Sequence, residues 1–500
     1  MRRVLRADLL DFTADPGFAL PNEATGVRWR PDHLVLIEDG RIHAVQPAAQ
    51  AVPPGWQHVT QEDHGGRLLM PGFIDTHVHC PQLDVIASFG TALLDWLNTY
   101  TFPAEKRYAD PEVSRLGAQR FLSALWAHGT TSAVVFPTVH KVSAHALFEA
   151  AHAQGMRLIT GKVLMDRHAP DGLRDDVAQA ERDCIDLIDR WHDQGRQAFA
   201  VTVRFAPTST PVQLAMAGLL CQTYPGTYMQ THVAENQDEV CWVAELFPDA
   251  RSYLDVYDRE GLLGPRAVLA HGIWLDANDR AVLRERGAQI AHCPSSNLFL
   301  GSGLFDWVQA QREGVAVSLA SDVGGGTSLS MLRNMQDAYK IQAMQGNRLT
   351  AWKALHAATL GAAQALGLAH EIGQIEPGHM ADLTVWDWAH GPVAAHRDRL
   401  ARDSQAPGQA ALHERAFDLA EINGRIERRA DVLDDVGAQA AGFAGQRIDG
   451  DFGDGCAIGE IEERPTAHGL AVPMDFRRLV KARLGKLDAF QPAHFGEVAE

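Results

Sequence analysis

Two histidines close the apolar run PGFIDTHVHC at residues 71–80, and they stand two positions apart, at His77 and His79. In an extended strand, residues i and i+2 project from the same face, so both imidazoles point one way. Three later segments share this plan: β-branched and small apolar residues, then a ligand-type side chain, then a polar or glycine-rich loop. TYMQTHVAE brings His232, with Glu235 three residues on; AVLAHG brings His271; VAVSLASDVGGG brings Asp322. A single pair of strand histidines is more often structural than functional, but a series of ligand-type strand ends in one chain points to a transition-metal centre. Imidazole and carboxylate suit Zn²⁺ or Fe²⁺, and an open coordination position would activate water toward an electrophilic carbon. Such an attack needs a proton shuttle within hydrogen-bond reach, and Glu235 is the candidate. Its alternative is a solvated surface carboxylate. The first ligand set is His77, His79, His232 and Asp322, with His271 just outside it, orienting water or polarising the substrate. A dinuclear site bridged by a carboxylated Lys162, on ITGKVLMD, is left open by spacing alone; the mononuclear arrangement is the simpler.

Side chains from such distant segments need a frame that gathers strand ends. Between residues 68 and 365 we count eight candidate strands: LLMPGFIDTH, SAVVFPT, RLITGKVLM, FAVTVRFAP, TYMQTH, AVLAH, AQIAHCP and VAVSLASD. Amphipathic helical stretches such as EVSRLGAQRFLSALWAHG and HALFEAAHAQG lie between them and often end in glycine. Strands alternating with helices predict an α/β fold, a (β/α)₈ TIM-like barrel whose active site sits at the strand C-termini. Residues 1–67, with HLVLIEDGRIHAVQP and an Asp39-Gly40 hairpin turn, and residues 366–392, with GQIEPGHMADLTVWD, are expected to form one small β-sandwich built from both ends. Residues 393–500 read as an extension of no evident chemistry, in which MDFRRLVKARLGKLDAF has the pattern of one amphipathic helix.

Bulk properties narrow the partners. Of the 500 residues, 46% are hydrophobic and 22% charged, as in ordinary globular proteins. A formal net charge of -18 argues against nucleic acid and anionic membranes and is compatible with a small neutral or cationic substrate. Asp8 and Asp11 interrupt the apolar start, so no signal peptide is expected, and no apolar run is long enough for a membrane span. Cys80, Cys184, Cys221, Cys241, Cys293 and Cys456 are scattered without a CxxC pair, which suggests reduced thiols and a cytoplasmic setting.

Over about residues 30–390 the chain resembles the amidohydrolase superfamily, through PGFIDTHVH, HVAE, AHG and SDVGGG. Within it, HCPQ, LLDWLNTYTFPAE (residues 93–105), VRFAP, HCPSSNLFLGSGLFD and SDVGGGTSLSMLRNM are similar to the guanine deaminases. That resemblance implies one Zn²⁺ (Fe²⁺ being possible) held by His77, His79, His232 and Asp322. It also implies proton transfer by Glu235, with Asp322 and His271 beside the water. Gln82 and Arg204-Phe205 match guanine-binding positions: two donors suit the O6 and N7 acceptors of guanine, and a flat ring suits stacking. Trp96 is either a pocket wall or a core residue. The implied reaction converts guanine and water to xanthine and ammonia, and the implied assembly is a homodimer. The closing segment departs from the family pattern, running ALHERAFDLAEINGRIERRADVLDD and then onward. Rival readings are a related deaminase acting on another aminopurine, a pterin or a triazine, and a non-catalytic barrel scaffold. The H-x-E with P-C-x-x-C signature of the other zinc deaminases is missing.

Overall fold

The computed structural model describes residues 1–20, 23–89 and 93–387. The predicted extension over residues 393–500, with its amphipathic helix and Cys456, lies outside the described residues.

The chain opens with four strands: β1 (Arg2–Phe12), β2 (Val27–Glu38), β3 (Arg41–Pro47) and β4 (Gln61–Pro71). Asp39 and Gly40, with φ of 50° and 76°, make the expected two-residue turn between β2 and β3. Nine strands then belong to a second sheet: β5 (Phe73–His79), β6 (Thr130–Phe136), β7 (Arg157–Thr160), β8 (Val163–Leu164), β9 (Gln197–Val203), β10 (Tyr228–Val233), β11 (Ala267–His271), β12 (Gln289–His292) and β13 (Ala316–Leu319). The last strand, β14 (Leu383–Trp386), returns to the first sheet, whose order is β14-β4-β1-β2-β3. Segments before and after the barrel strands thus build one five-stranded sheet rather than a two-sheet sandwich, with apolar residues such as Leu5, Leu9 and Val35 packed on one face and Val4, Leu36 and Trp56 on the other.

Eight strands of the larger sheet run β5-β6-β7-β9-β10-β11-β12-β13, all in parallel pairs. Each is followed by helical segments, as in a (β/α)₈ barrel. Strand β5 is buried at every position, because its two faces meet the barrel interior and the surrounding helices. The seam beside β5 closes through the residues after β13: Asp322 N donates to His77 O at 2.9 Å and His79 N to Val323 O at 2.9 Å. The helices obey local rules. Helix Pro111–Ala127 begins with Pro after Asp110, whose carboxylate accepts from Glu112 N and Val113 N.

Two strand expectations need correction. LLMPGFIDTH is not one strand: Leu68–Pro71 pair with β1 and β14 in the small sheet, and only Phe73 onward enters the barrel. The hinge is Gly72, where a Cβ would lie 2.2 Å from Thr131 Oγ1, so a side chain there would push β5 away from β6. RLITGKVLM is also broken, at Gly161-Lys162, and β8 pairs with β9 on its own. Among the described residues no helix is long and apolar enough to cross a membrane.

Candidate metal centre and substrate cavity

His77 and His79 project from the end of β5 into the barrel mouth, His232 from β10, and Asp322 from just beyond β13. His79 Nε2 lies 3.2 Å from both His77 Nε2 and His232 Nε2. Asp322 Oδ1 lies 3.2 Å from His77 Nε2 and 3.3 Å from His79 Nε2. A tetrahedral ion bound at 2.0–2.1 Å has ligand–ligand edges of about 3.3–3.4 Å, and these four edges match that spacing, with all four ligand atoms within 4.8 Å of one another. Tautomer chemistry agrees. His232 Nδ1 is 2.6 Å from the carbonyl of Arg204, which only accepts, so the proton sits on Nδ1 and Nε2 offers a lone pair. Burial pushes His79 down to about 3 and His232 well below its ordinary value, keeping both neutral as ligands must be. Burial alone would raise the Asp322 carboxyl, but hydrogen bonds from His77 and His79 outweigh it and hold that group well below the usual range.

The backbone is shaped for this. His271 and Asp322 adopt φ of 71° and 48°, a region non-glycine residues rarely occupy, which re-aims both side chains at the strand ends. The glycines after Asp322 let the loop fold back beneath it: a Cβ on Gly326 would lie 1.8 Å from Ser321 O. Asp75, buried on β5, accepts from Ser321 N at 3.0 Å and His77 N at 3.3 Å and also from Ser321 Oγ. It ties the Asp322 segment to the strand that carries His77. Phe136, at the end of β6, packs its ring 4.7–5.0 Å from those of His77, His79 and His232.

Glu235 lies three residues beyond His232 and is buried, not solvated. Burial and the Asp322 charge push its carboxyl up to about 8, while Ser302 Oγ donates to Oε1 at 2.9 Å. Oε2 faces His271 Nε2 at 3.4 Å. Asn297 Oδ1 lies 2.9 Å from His271 Nδ1 and accepts its proton, leaving Nε2 turned toward Glu235 and Asp322 without a hydrogen-bond partner among the described residues. Behind Glu235, Glu239 accepts from the backbone N–H groups of Glu235 and Asn236 and from Tyr253 OH.

A cleft enclosing about 410 Å³ of empty space, part of it open to solvent, joins these groups to the other candidates. His79, His232, Glu235 and Asp322 line it together with Gln82, Trp96, Arg204, Phe205, Leu300 and Gly325. Trp96 is both a buried residue and a cavity wall, its indole Nε1 donating to Ser88 O at 3.2 Å. Lys162 is elsewhere: its ammonium pairs with buried Asp175 at 2.5 Å, so it does not bridge two ions. Cys293 Sγ lies near His77, His271 and Asp322, but burial holds the thiol well above its ordinary value. Asp75, Phe136, Glu239 and Glu105, a buried carboxylate 2.7 Å from Arg204 Nη1, were not singled out from sequence. Of these only Glu105 left a usable signal, as an acidic residue inside the distinctive segment LLDWLNTYTFPAE.

This constellation, at the C-terminal mouth of a parallel barrel, is that of a metal-dependent hydrolase. The amidohydrolase family profile matches residues 68–423, and the chain belongs to that family. Guanine deaminase of Escherichia coli (strain K12) is 43% identical over 384 residues, covering 76% of this chain and 86% of the relative. Among solved structures, E. coli guanine deaminase superposes with a TM-score of 0.75 at 39% identity, covering 83% of this chain and 95% of its own. Guanine deaminase from Bradyrhizobium japonicum superposes at 0.79 with 33% identity, covering 84% and 95%.

Proposed function

We propose that this chain is a hydrolase of cyclic C–N bonds that converts guanine and water to xanthine and ammonia. The observation that carries this reading is one cavity lined by three of the four proposed ligands (His79, His232 and Asp322), by Glu235, and by the donors Arg204 and Gln82, with His77 completing the ligand cluster behind it.

His77, His79, His232 and Asp322 would hold one Zn²⁺. When bound, the ion supplies Lewis-acid activation of water at neutral pH. Glu235 takes a proton from the attacking water and delivers it to ring N3 as the oxygen joins C2. It then takes the proton of the hydroxyl now on C2 and passes it to the amine, so that C2=O forms as the C2–N bond breaks and ammonia leaves. Ser302 fixes the carboxyl for this traffic, and His271 orients the water between Glu235 and Asp322. Arg204 and Gln82 donate to the O6 and N7 edge of guanine, and Phe205 covers its face. An aminopurine without O6 keeps N7 but leaves the donor to O6 unpaired, which favours guanine over such a ring. The family resemblance adds a homodimer and a cytoplasmic setting to the reading, and the unpaired thiols of Cys80, Cys184 and Cys293 suit a reducing compartment.

The test is chromatography of products after incubation with guanine, 2-aminopurine, pterin and a triazine. Xanthine formed from guanine at a kcat/KM about 100-fold or more above the others supports the reading. Preferred turnover of another ring transfers the same chemistry to that substrate, and no turnover of any leaves a non-catalytic barrel.

A further inference from the structure

Glu105 sits at the C-terminal part of the short helix Phe102–Lys106, is fully buried, and is not among the cavity-lining residues. Its Oε1 accepts from two side chains that do line the cavity: Arg204 Nη1 at 2.7 Å and Gln82 Nε2 at 3.2 Å. Both donors are themselves buried, at 3% and 2% exposure. Gln82 Oε1 meanwhile accepts from Gly324 N at 3.0 Å, so the orientation of its amide is settled: oxygen toward the Asp322 loop, nitrogen toward Glu105. Phe102, one turn earlier on the same helix, places its ring 5.9 Å from the Arg204 guanidinium carbon. The Arg204 backbone carbonyl in turn holds the His232 ring.

We infer that Glu105 is a positioning residue for purine recognition, a carboxylate that clamps Arg204 and Gln82 so that their remaining N–H groups face an oxo substituent on the ring. The inference rests on the guanine reading and goes beyond it by placing specificity partly in a residue that never touches the substrate. The chemistry is economical. One oxygen fixes a rigid guanidinium fork and a rotatable amide at once, and the charge that holds Arg204 is one the substrate does not have to provide. Simple charge compensation for a buried Arg204 is the competing explanation. It requires the ion pair but gives no reason for the same oxygen to receive Gln82.

The metal-loaded full-length enzyme, with Glu105→Gln and Glu105→Asp, separates the two. Two non-reacting competitors serve as probes: hypoxanthine, which keeps O6 but has no C2 amine, and purine, which lacks O6. In Glu105→Gln the guanine KM and the hypoxanthine Ki should each rise about tenfold, as loss of a charge-assisted contact implies, while the purine Ki, which keeps only the N7 contact, rises clearly less and kcat stays within about threefold. Metal content should not change. Adding Glu105→Gln to an Arg204→Met background should change hypoxanthine Ki little, because the clamp then has lost its main client. Equal weakening of both competitors, or no change in either, overturns the inference. If Glu105→Gln does not fold, Glu105→Asp, which retains the charge but shortens the reach, reads the same ratio. A wild-type enzyme that holds metal yet neither converts guanine nor binds hypoxanthine overturns the substrate reading itself, before any variant is made.

Discussion

Replacing Glu235 by Gln should make the metal-stripped protein more stable and the loaded enzyme nearly inactive. The carboxyl is buried and pushed from an ordinary value of 4.5 to about 8. A carboxyl with a raised folded-state pKa contributes fully below 4.5, and its contribution is lost as pH rises through 8. Each unit is worth about 1.4 kcal/mol, so at pH 7 ionisable Glu235 costs the fold up to about 3 kcal/mol, and at pH 5 about 1 kcal/mol or less. Glutamine keeps the shape, can still accept from Ser302 Oγ, and carries no such cost. Thermal unfolding after chelator treatment, at pH 5 and pH 7, reads the difference: the variant should gain at pH 7 and match the wild type near pH 4. Chelation matters, since a bound cation would favour the ionised form. With metal restored, kcat should fall by about 10² to 10⁴, the usual worth of a general acid–base group. A variant that is destabilised at pH 7, or that keeps near-normal turnover, refutes the reasoning.

Further outcomes follow from the same geometry. Asp322→Asn removes the one carboxylate of the ligand set, so metal content by elemental analysis should fall by about 10-fold or more at limiting metal, with activity falling in step. Arg204→Ala leaves Glu105 buried without its ion-pair partner and should cost about 3–5 kcal/mol, read as a lowered unfolding midpoint; an unchanged midpoint would contradict the buried pairing. Gly326→Ala meets backbone at 1.8 Å, so the Asp322 loop must shift, and metal retention should drop even where the protein still folds.

The metal centre was legible because its chemistry coincides with its architecture. His77, His79, His232 and Asp322 are ligand-type residues at the ends of apolar strand patterns, and a parallel barrel gathers strand ends at one mouth. Glu235 could be read from its distance to His232, and its burial removes the alternative of a solvated surface carboxylate. The residues that organise the site were harder to see. Glu105 meets Arg204 across 99 positions of chain, and no local periodicity encodes that pairing. Phe136 is indistinguishable in sequence from an ordinary core phenylalanine at a strand end. Asp75 stands inside the PGFIDTHVH run, yet its partner Ser321 is 246 residues away. The strand breaks were hidden for a related reason. Pro71-Gly72 interrupts a continuous apolar pattern, and only the closeness of Thr131 shows that the chain changes sheet there.

The most direct test of the central claim is ammonia release from guanine by the purified protein, first as isolated, then after chelation, then after stoichiometric Zn²⁺ is returned. Activity lost on chelation and restored by about one equivalent of Zn²⁺ per chain, with xanthine as the matching product, is the expected result. Ammonia release that survives complete metal removal, or metal-replete protein that leaves guanine unchanged, would contradict it.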